Sequence, residues 1–128
     1  MEFELIERIR RRVAMRADVV LGIGDDAALL RVPPGHELVV STDTLNAGVH
    51  FPPETAPADI GWKALAVNLS DLAAMGATPA WFSLSLSLPA PDSPWLDAFL
   101  DGLFELADRH LLGLIGGDTT RGPLSISI

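Results

Sequence analysis

Between Trp81 and Leu88 the chain alternates without a break, with Phe82, Leu84, Leu86 and Leu88 set against Ser83, Ser85 and Ser87. Successive strand side chains point to opposite faces, so this run predicts a half-buried strand with a leucine face and a serine face. Elsewhere the period lengthens. Phe3, Ile6, Ile9 and Val13 recur every three or four residues and predict an amphipathic helix from Phe3 to Met15. From Ala58 to Met75 apolar residues occupy nearly every side of a second helix, which predicts burial on most sides. Gly76 follows as a residue suited to the left-handed C-terminal cap. Ser93-Pro94 supplies an N-cap and a first-turn proline for a third helix running to about His110. Short runs at Val19 to Leu21, Ala27 to Val32, Glu37 to Thr42, Leu111 to Ile115 and Leu124 to Ile128 read as strands. They are broken by Pro33-Pro34-Gly35 and by a proline-rich loop from Asn46 to Pro57. A chain of 128 residues has room for one domain of this kind.

Four polar clusters punctuate the pattern: Gly24-Asp25-Asp26, Ser41-Thr42-Asp43-Thr44, Asn68-Leu69-Ser70-Asp71 and Gly116-Gly117-Asp118-Thr119-Thr120. None contains a lysine or arginine. Each alone reads equally well as a turn or a cap. If the fold gathers them, their aspartates share one small volume, and two carboxylates about 4 Å apart repel by roughly 4 kcal/mol at an effective dielectric near 20. Such a gathering needs cations or retained protons. Oxygen donors among hydroxyls and glycines suit a hard divalent ion that keeps several waters and meets phosphate oxygens. The recurrence therefore points to magnesium and a phosphorylated ligand. Asp71 is the sharpest case, because it interrupts the otherwise apolar stripe Ile60, Ala64, Val67, Ala74, where a buried carboxylate must be paired, neutralised or metal-bound. Asn68 shares its helix face.

Composition narrows the alternatives. With 17 acidic and 9 basic residues the net charge is −8, which argues against nucleic-acid and anionic-membrane surfaces. No apolar stretch approaches the roughly 18 residues of a membrane helix. The chain has no cysteine, hence no disulfide, thiolate nucleophile or cysteine-based zinc site. Met1-Glu2-Phe3-Glu4 lacks the features of a signal peptide, so a cytoplasmic location is expected. A hydrophobic fraction of 48% and a mean hydropathy of +0.31 fit a domain that also buries surface against a partner. Arg8, Arg10, Arg11, Arg12 and Arg16 form the one basic run and read as a solvated helix face.

Gly22-Ile23-Gly24-Asp25-Asp26-Ala27 imitates a dinucleotide fingerprint, but Pro33 follows too soon for the required helix and the paired aspartates repel a bare pyrophosphate. The sole lysine, Lys63, follows Gly61-Trp62 rather than a phosphate cradle, and its simplest partner is Asp59, four residues earlier. His50 could donate to a substrate phosphate or be incidental in its loop. Arg121 could approach nucleotide phosphates or cap a turn.

The motifs Gly22 to Ala27, Ser41 to Thr44 with Gly48-Val49-His50-Phe51, Lys63 to Ala77, and Leu114 to Pro123 together resemble the N-terminal domain of the thiamine-monophosphate kinase family. The helix motif recurs more loosely in related ATP-using enzymes: aminoimidazole ribonucleotide synthetase, selenophosphate synthetase and a hydrogenase maturation protein. The resemblance implies an α/β (α+β) fold, a mixed sheet with helices on one face, whose sheets pair into a barrel in a homodimer and cover the strand Trp81 to Leu88. It implies Mg2+-dependent transfer of the terminal phosphoryl group of ATP to thiamine monophosphate, giving thiamine diphosphate without a covalent enzyme intermediate. Asp26, Asp43, Asp71 and Asp118 would be metal ligands, with Ser41 and Thr42 adding oxygens. Gly117 and Asp118 would border the nucleotide phosphates and His50 would face thiamine monophosphate, while Asp25, Asn68, Lys63 and Arg121 are secondary candidates. Residues 1–128 would be an ATP- and Mg2+-binding domain lacking the C-terminal domain of the family, and inactive alone. A sister enzyme of the same superfamily, or a non-catalytic dimerisation or metal-binding module, are the competing readings.

Overall fold

The computed structural model describes residues 2–128. The serine–leucine alternation becomes β4 (Trp81–Leu88), the centre of a four-stranded mixed sheet ordered β3-β6-β4-β5, with β3 at Thr44–Asn46, β5 at Gly113–Arg121 and β6 at Ser125–Ser127. β4 runs parallel to β5 and antiparallel to β6, which in turn pairs antiparallel with β3. Helix α3 (Ser93–Arg109) makes the crossover between the two parallel strands. Its N-cap is Asp92 rather than the expected Ser93: the Asp92 carboxylate accepts a 3.0 Å hydrogen bond from the Trp95 amide.

Helix α2 (Pro57–Ala74) ends as its sequence predicts, with Gly76 at φ +68°. The Gly76 and Ala77 amides bond the Ala73 and Leu72 carbonyls, both at 3.0 Å, which is a Schellman closure. α2 and α3 approach so closely that glycine is required at the crossing. A Cβ on Gly61 would lie 2.2 Å from the Phe99 carbonyl oxygen, and one on Gly102 only 1.9 Å from that of Ala58. Ile60, Ala64 and Leu65 of α2 join Phe99, Leu100 and Leu103 of α3 and Phe82, Leu84, Leu86 and Leu88 of β4 in a single buried core.

The leucine face of β4 is thus covered by the chain's own helices, and it is the serine face that stays open. Two rows of polar residues cross that face in register: Thr44, Ser127, Ser85 and Asp118, then Asn46, Ser125, Ser87 and Thr120. Any second sheet that covered β4 would therefore meet its serine face rather than its leucine face.

Helix α1 spans Glu2–Arg10, shorter than the predicted Phe3 to Met15. Its arginines are not a merely solvated face. Arg8 bonds Asp97 at 2.9 Å and Arg12, just past the helix, bonds Asp101 at 2.6 Å, tying this end of the chain to α3. Strands β1 (Val19–Leu21) and β2 (Leu29–Leu30) form a separate antiparallel pair around the glycine–aspartate loop, as their apolar runs predict. The β-rich run Glu37 to Thr42 does not form a strand and is exposed throughout. No helix among the described residues is long and apolar enough to cross a membrane.

Candidate functional site

The aspartates fall into two sets. Asp43 is fixed at the start of β3 by paired backbone bonds with Ile128, at 3.0 and 3.1 Å. Strand alternation puts its side chain on the same face as buried Leu45, toward α2. There its carboxyl group lies close enough to the Asp71 carboxyl group to be perturbed by it. Desolvation first, and the adjacent Asp71 carboxyl group second, raise the pKa of Asp43, with the nearby His50 imidazole acting weakly in the opposite direction. Asp71 lies in the last turn of α2, which has no basic residue to offset the negative end of the helix dipole. Two carboxyl groups drawn together at such a place are residues that could hold a cation.

Asp71 is exposed, contrary to the burial predicted for it. The buried face of α2 runs through Ile60, Ala64, Leu65 and Asn68, while Ala73 and Ala74 are exposed together with Asp71. Asn68 donates to the Ala64 carbonyl at 3.0 Å, and its Oδ1 is buried without a partner. It lines a 190 Å³ cavity with Ser41 and Thr42, the two residues that precede Asp43 in the chain.

Asp25, Asp26 and Asp118 line a different cavity, of 580 Å³, between α1, the glycine loop and β5. β3 and β5 are opposite edges of the sheet, three strand spacings or about 14 Å apart, so Asp118 does not join Asp43. Among the described residues no group of three or more His, Asp or Glu side chains is gathered closely enough to hold a metal ion by itself. The donor set is nonetheless oxygen-only. Mg2+ is ordinarily held by one or two carboxylates plus waters and phosphate oxygens, and the Asp43–Asp71 pair fits that pattern.

Gly116-Gly117-Asp118 lies inside β5, not at a strand end. Ile115 is an extra residue in the register, since Leu114 pairs with Phe82 and Gly116 with Ser83. At Gly117 a Cβ would come 1.7 Å from the Leu84 carbonyl, so close strand packing already demands glycine there. His50 Nδ1 accepts a 2.8 Å hydrogen bond from the Asn46 amide. Lys63 donates to the His50 carbonyl and makes no ion pair with Asp59. Arg121 is exposed at the far end of β5, remote in the fold from the Asp43–Asp71 pair.

Asp18 escaped the sequence reading. Arg16 grips it with two hydrogen bonds, at 2.8 and 2.7 Å, and Trp81 Nε1 donates to it at 3.1 Å. The Arg16 bonds lead in lowering its pKa to about 2, with Trp81 contributing. Arg16 also bonds the Leu111 carbonyl, so one ion pair links β1 to the starts of β4 and β5. The Arg-x-Asp spacing was visible, but its third partner is distant in sequence.

A carboxylate in the last turn of α2 facing another beside β3, a βαβ crossover in a mixed sheet and a glycine–aspartate hairpin characterise the class. The chain belongs to the AIR synthase related protein, N-terminal domain family, whose profile matches residues 24–128. Within that class it is similar to thiamine-monophosphate kinase of Salmonella typhimurium, 60% identical over 99% of this chain and 39% of the relative. A crystal structure of thiamine-monophosphate kinase from Stenotrophomonas maltophilia has a TM-score of 0.87 and 66% identity, covering 98% of this chain and 40% of that one. A structure of AaThiL complexed with AMPPCP and TMP has a TM-score of 0.66 and 30% identity, again over 98% of this chain and 40% of that one. The chain thus spans about two fifths of the length of the relatives it matches.

Proposed function

We propose that these residues are the ATP- and Mg2+-binding N-terminal domain of a thiamine-monophosphate kinase, transferring the terminal phosphoryl group of ATP to thiamine monophosphate. The observation that carries the reading is the Asp43–Asp71 carboxyl pair at the end of α2, an oxygen donor set in which burial first, and the adjacent Asp71 carboxyl group second, raise the pKa of Asp43. Direct transfer between two anions asks little covalent chemistry of the protein; it asks for alignment and charge neutralisation. Asp43 and Asp71, with Ser41 and Thr42 adjoining, would hold Mg2+, which supplies that neutralisation. Asp26 and Asp118, with Asp25, would border the phosphates from the second cavity, and His50 would lie toward thiamine monophosphate. The remaining three fifths of such an enzyme would complete the site.

The same reading includes a homodimer. Leu38, Val39 and Val40, in the segment leading to β3, are 53%, 36% and 76% exposed, and a β-rich run without a partner strand is what a second sheet would pair. Sedimentation that finds a monomer at all concentrations would remove the dimer and its barrel.

The enzymatic test is a chimaera in which residues 1–128 replace the matched segment of the Salmonella relative. It should form thiamine diphosphate from ATP and thiamine monophosphate with Mg2+, and Asp43→Asn should cost at least about a hundredfold in kcat. A well-folded chimaera that binds neither substrate would refute the proposal.

A further inference from the structure

Arg8, Arg11, Arg12 and Arg16 each pair with an acidic side chain, whereas Arg10 pairs with none among the described residues. Arg10 instead reaches over the glycine loop, so that a Cβ on Gly24 would lie 3.2 Å from its Nη1. Gly24 adopts φ +103°, a conformation that residues with side chains rarely take, and the loop passes beneath the guanidinium unobstructed. Arg10 is thereby the one basic side chain among the described residues that lines the 580 Å³ cavity, beside Glu7, Asp25, Asp26 and Asp118.

Those acids repel a phosphorylated ligand unless positive charge is brought in with it. A guanidinium presents a planar fork of donors that matches two phosphate oxygens, and its charge persists at every physiological pH. On the reading proposed above, on which this step rests, we infer that Arg10 grips the phosphate of the anionic ligand entering this cavity. The shared chemistry is a phosphate oxygen, carried either by the nucleotide or by thiamine monophosphate.

The chimaera described above separates the two sources by calorimetry with Mg2+ and a non-hydrolysable ATP analogue, and separately with thiamine monophosphate. Arg10→Ala should weaken one of these ligands about tenfold or more and raise the KM of the corresponding substrate more than it lowers kcat. Arg10→Lys should recover part of the loss, and Arg11→Ala, whose side chain faces solvent, should change neither. Arg10 is exposed and forms no ion pair among the described residues, so an unchanged thermal midpoint will show that Arg10→Ala still folds. Loss confined to the ATP analogue assigns the contact to the nucleotide, and loss confined to thiamine monophosphate assigns it to the acceptor. Undiminished binding of both by Arg10→Ala overturns the inference and leaves the kinase reading standing. Failure of the unsubstituted chimaera to bind either ligand overturns the reading and the inference together.

Discussion

The carboxyl groups of Asp43 and Asp71 are close neighbours, although one stands at a sheet edge and the other in the last turn of α2. Ionising both at once is unfavourable, which gives the metal-free chain a definite pH behaviour. Asp43 has a raised pKa in the folded state, so its ionisation penalises folding at neutral pH. Stability should therefore rise as pH falls through that raised value toward the ordinary 3.8. Asp43→Asn should raise the melting temperature of the chain by a few degrees at pH 7 in EDTA and flatten this dependence. Thermal melts across pH 4 to 7 check it, and a lower melting temperature for Asp43→Asn would contradict it.

Asp18 behaves in the opposite sense. Its pKa is lowered to about 2, so its contribution is complete above the ordinary carboxylate value and lost as pH falls through about 2. Asp18→Asn keeps an acceptor for Trp81 but loses the charge that holds Arg16. It should cost about 1–2 kcal/mol at pH 7, discounted for a pair that is partly exposed, and almost nothing near pH 2. Denaturant unfolding at the two pH values measures the difference.

The glycines of the α2–α3 crossing should tolerate no side chain. Alanine has the better helix propensity by about 1 kcal/mol, yet at Gly102 its methyl group would sit 1.9 Å from a backbone oxygen. Sterics should win: Gly102→Ala is expected to destabilise by roughly 1–3 kcal/mol net, lowering the melting temperature by several degrees. Gly61→Ala should do the same, and a neutral result at both would show that the helices cross farther apart.

α3 closes as α2 does, but with the wrong residue. The Leu112 amide bonds the Ala107 carbonyl at 2.9 Å, and the left-handed position, φ +56°, is held by Leu111, whose side chain is 78% exposed. Leu111→Gly relieves about 1–2 kcal/mol of steric cost and gives back part of it as chain entropy. A net stabilisation of about 0.5–1 kcal/mol should appear in denaturant unfolding.

Local chemistry was the legible part of this chain. β4 emerged with its predicted bounds because period-two alternation is a direct image of a half-covered sheet, and Gly76 closed α2 because few other residues take that conformation. Asp71 was misjudged because its stripe was made apolar partly by Ala74, and alanine is a weak sign of burial. The run Glu37 to Thr42 has the composition of a strand, but a strand exists only against a partner, and none is present within the described residues. The division of the aspartates was illegible because it depends on sheet order: only the pairing β3-β6-β4-β5 puts Asp43 and Asp118 at opposite edges.

If Asp43 and Asp71 hold the divalent ion, as proposed, Mn2+ in place of Mg2+ will report their proximity to it. In the chimaera, with the side-chain carboxyl carbons labelled, substoichiometric Mn2+ with a non-hydrolysable ATP analogue should broaden the NMR resonances of Asp43 and Asp71 first. Sharp resonances for both, while those of other carboxyl groups disappear, would contradict the account.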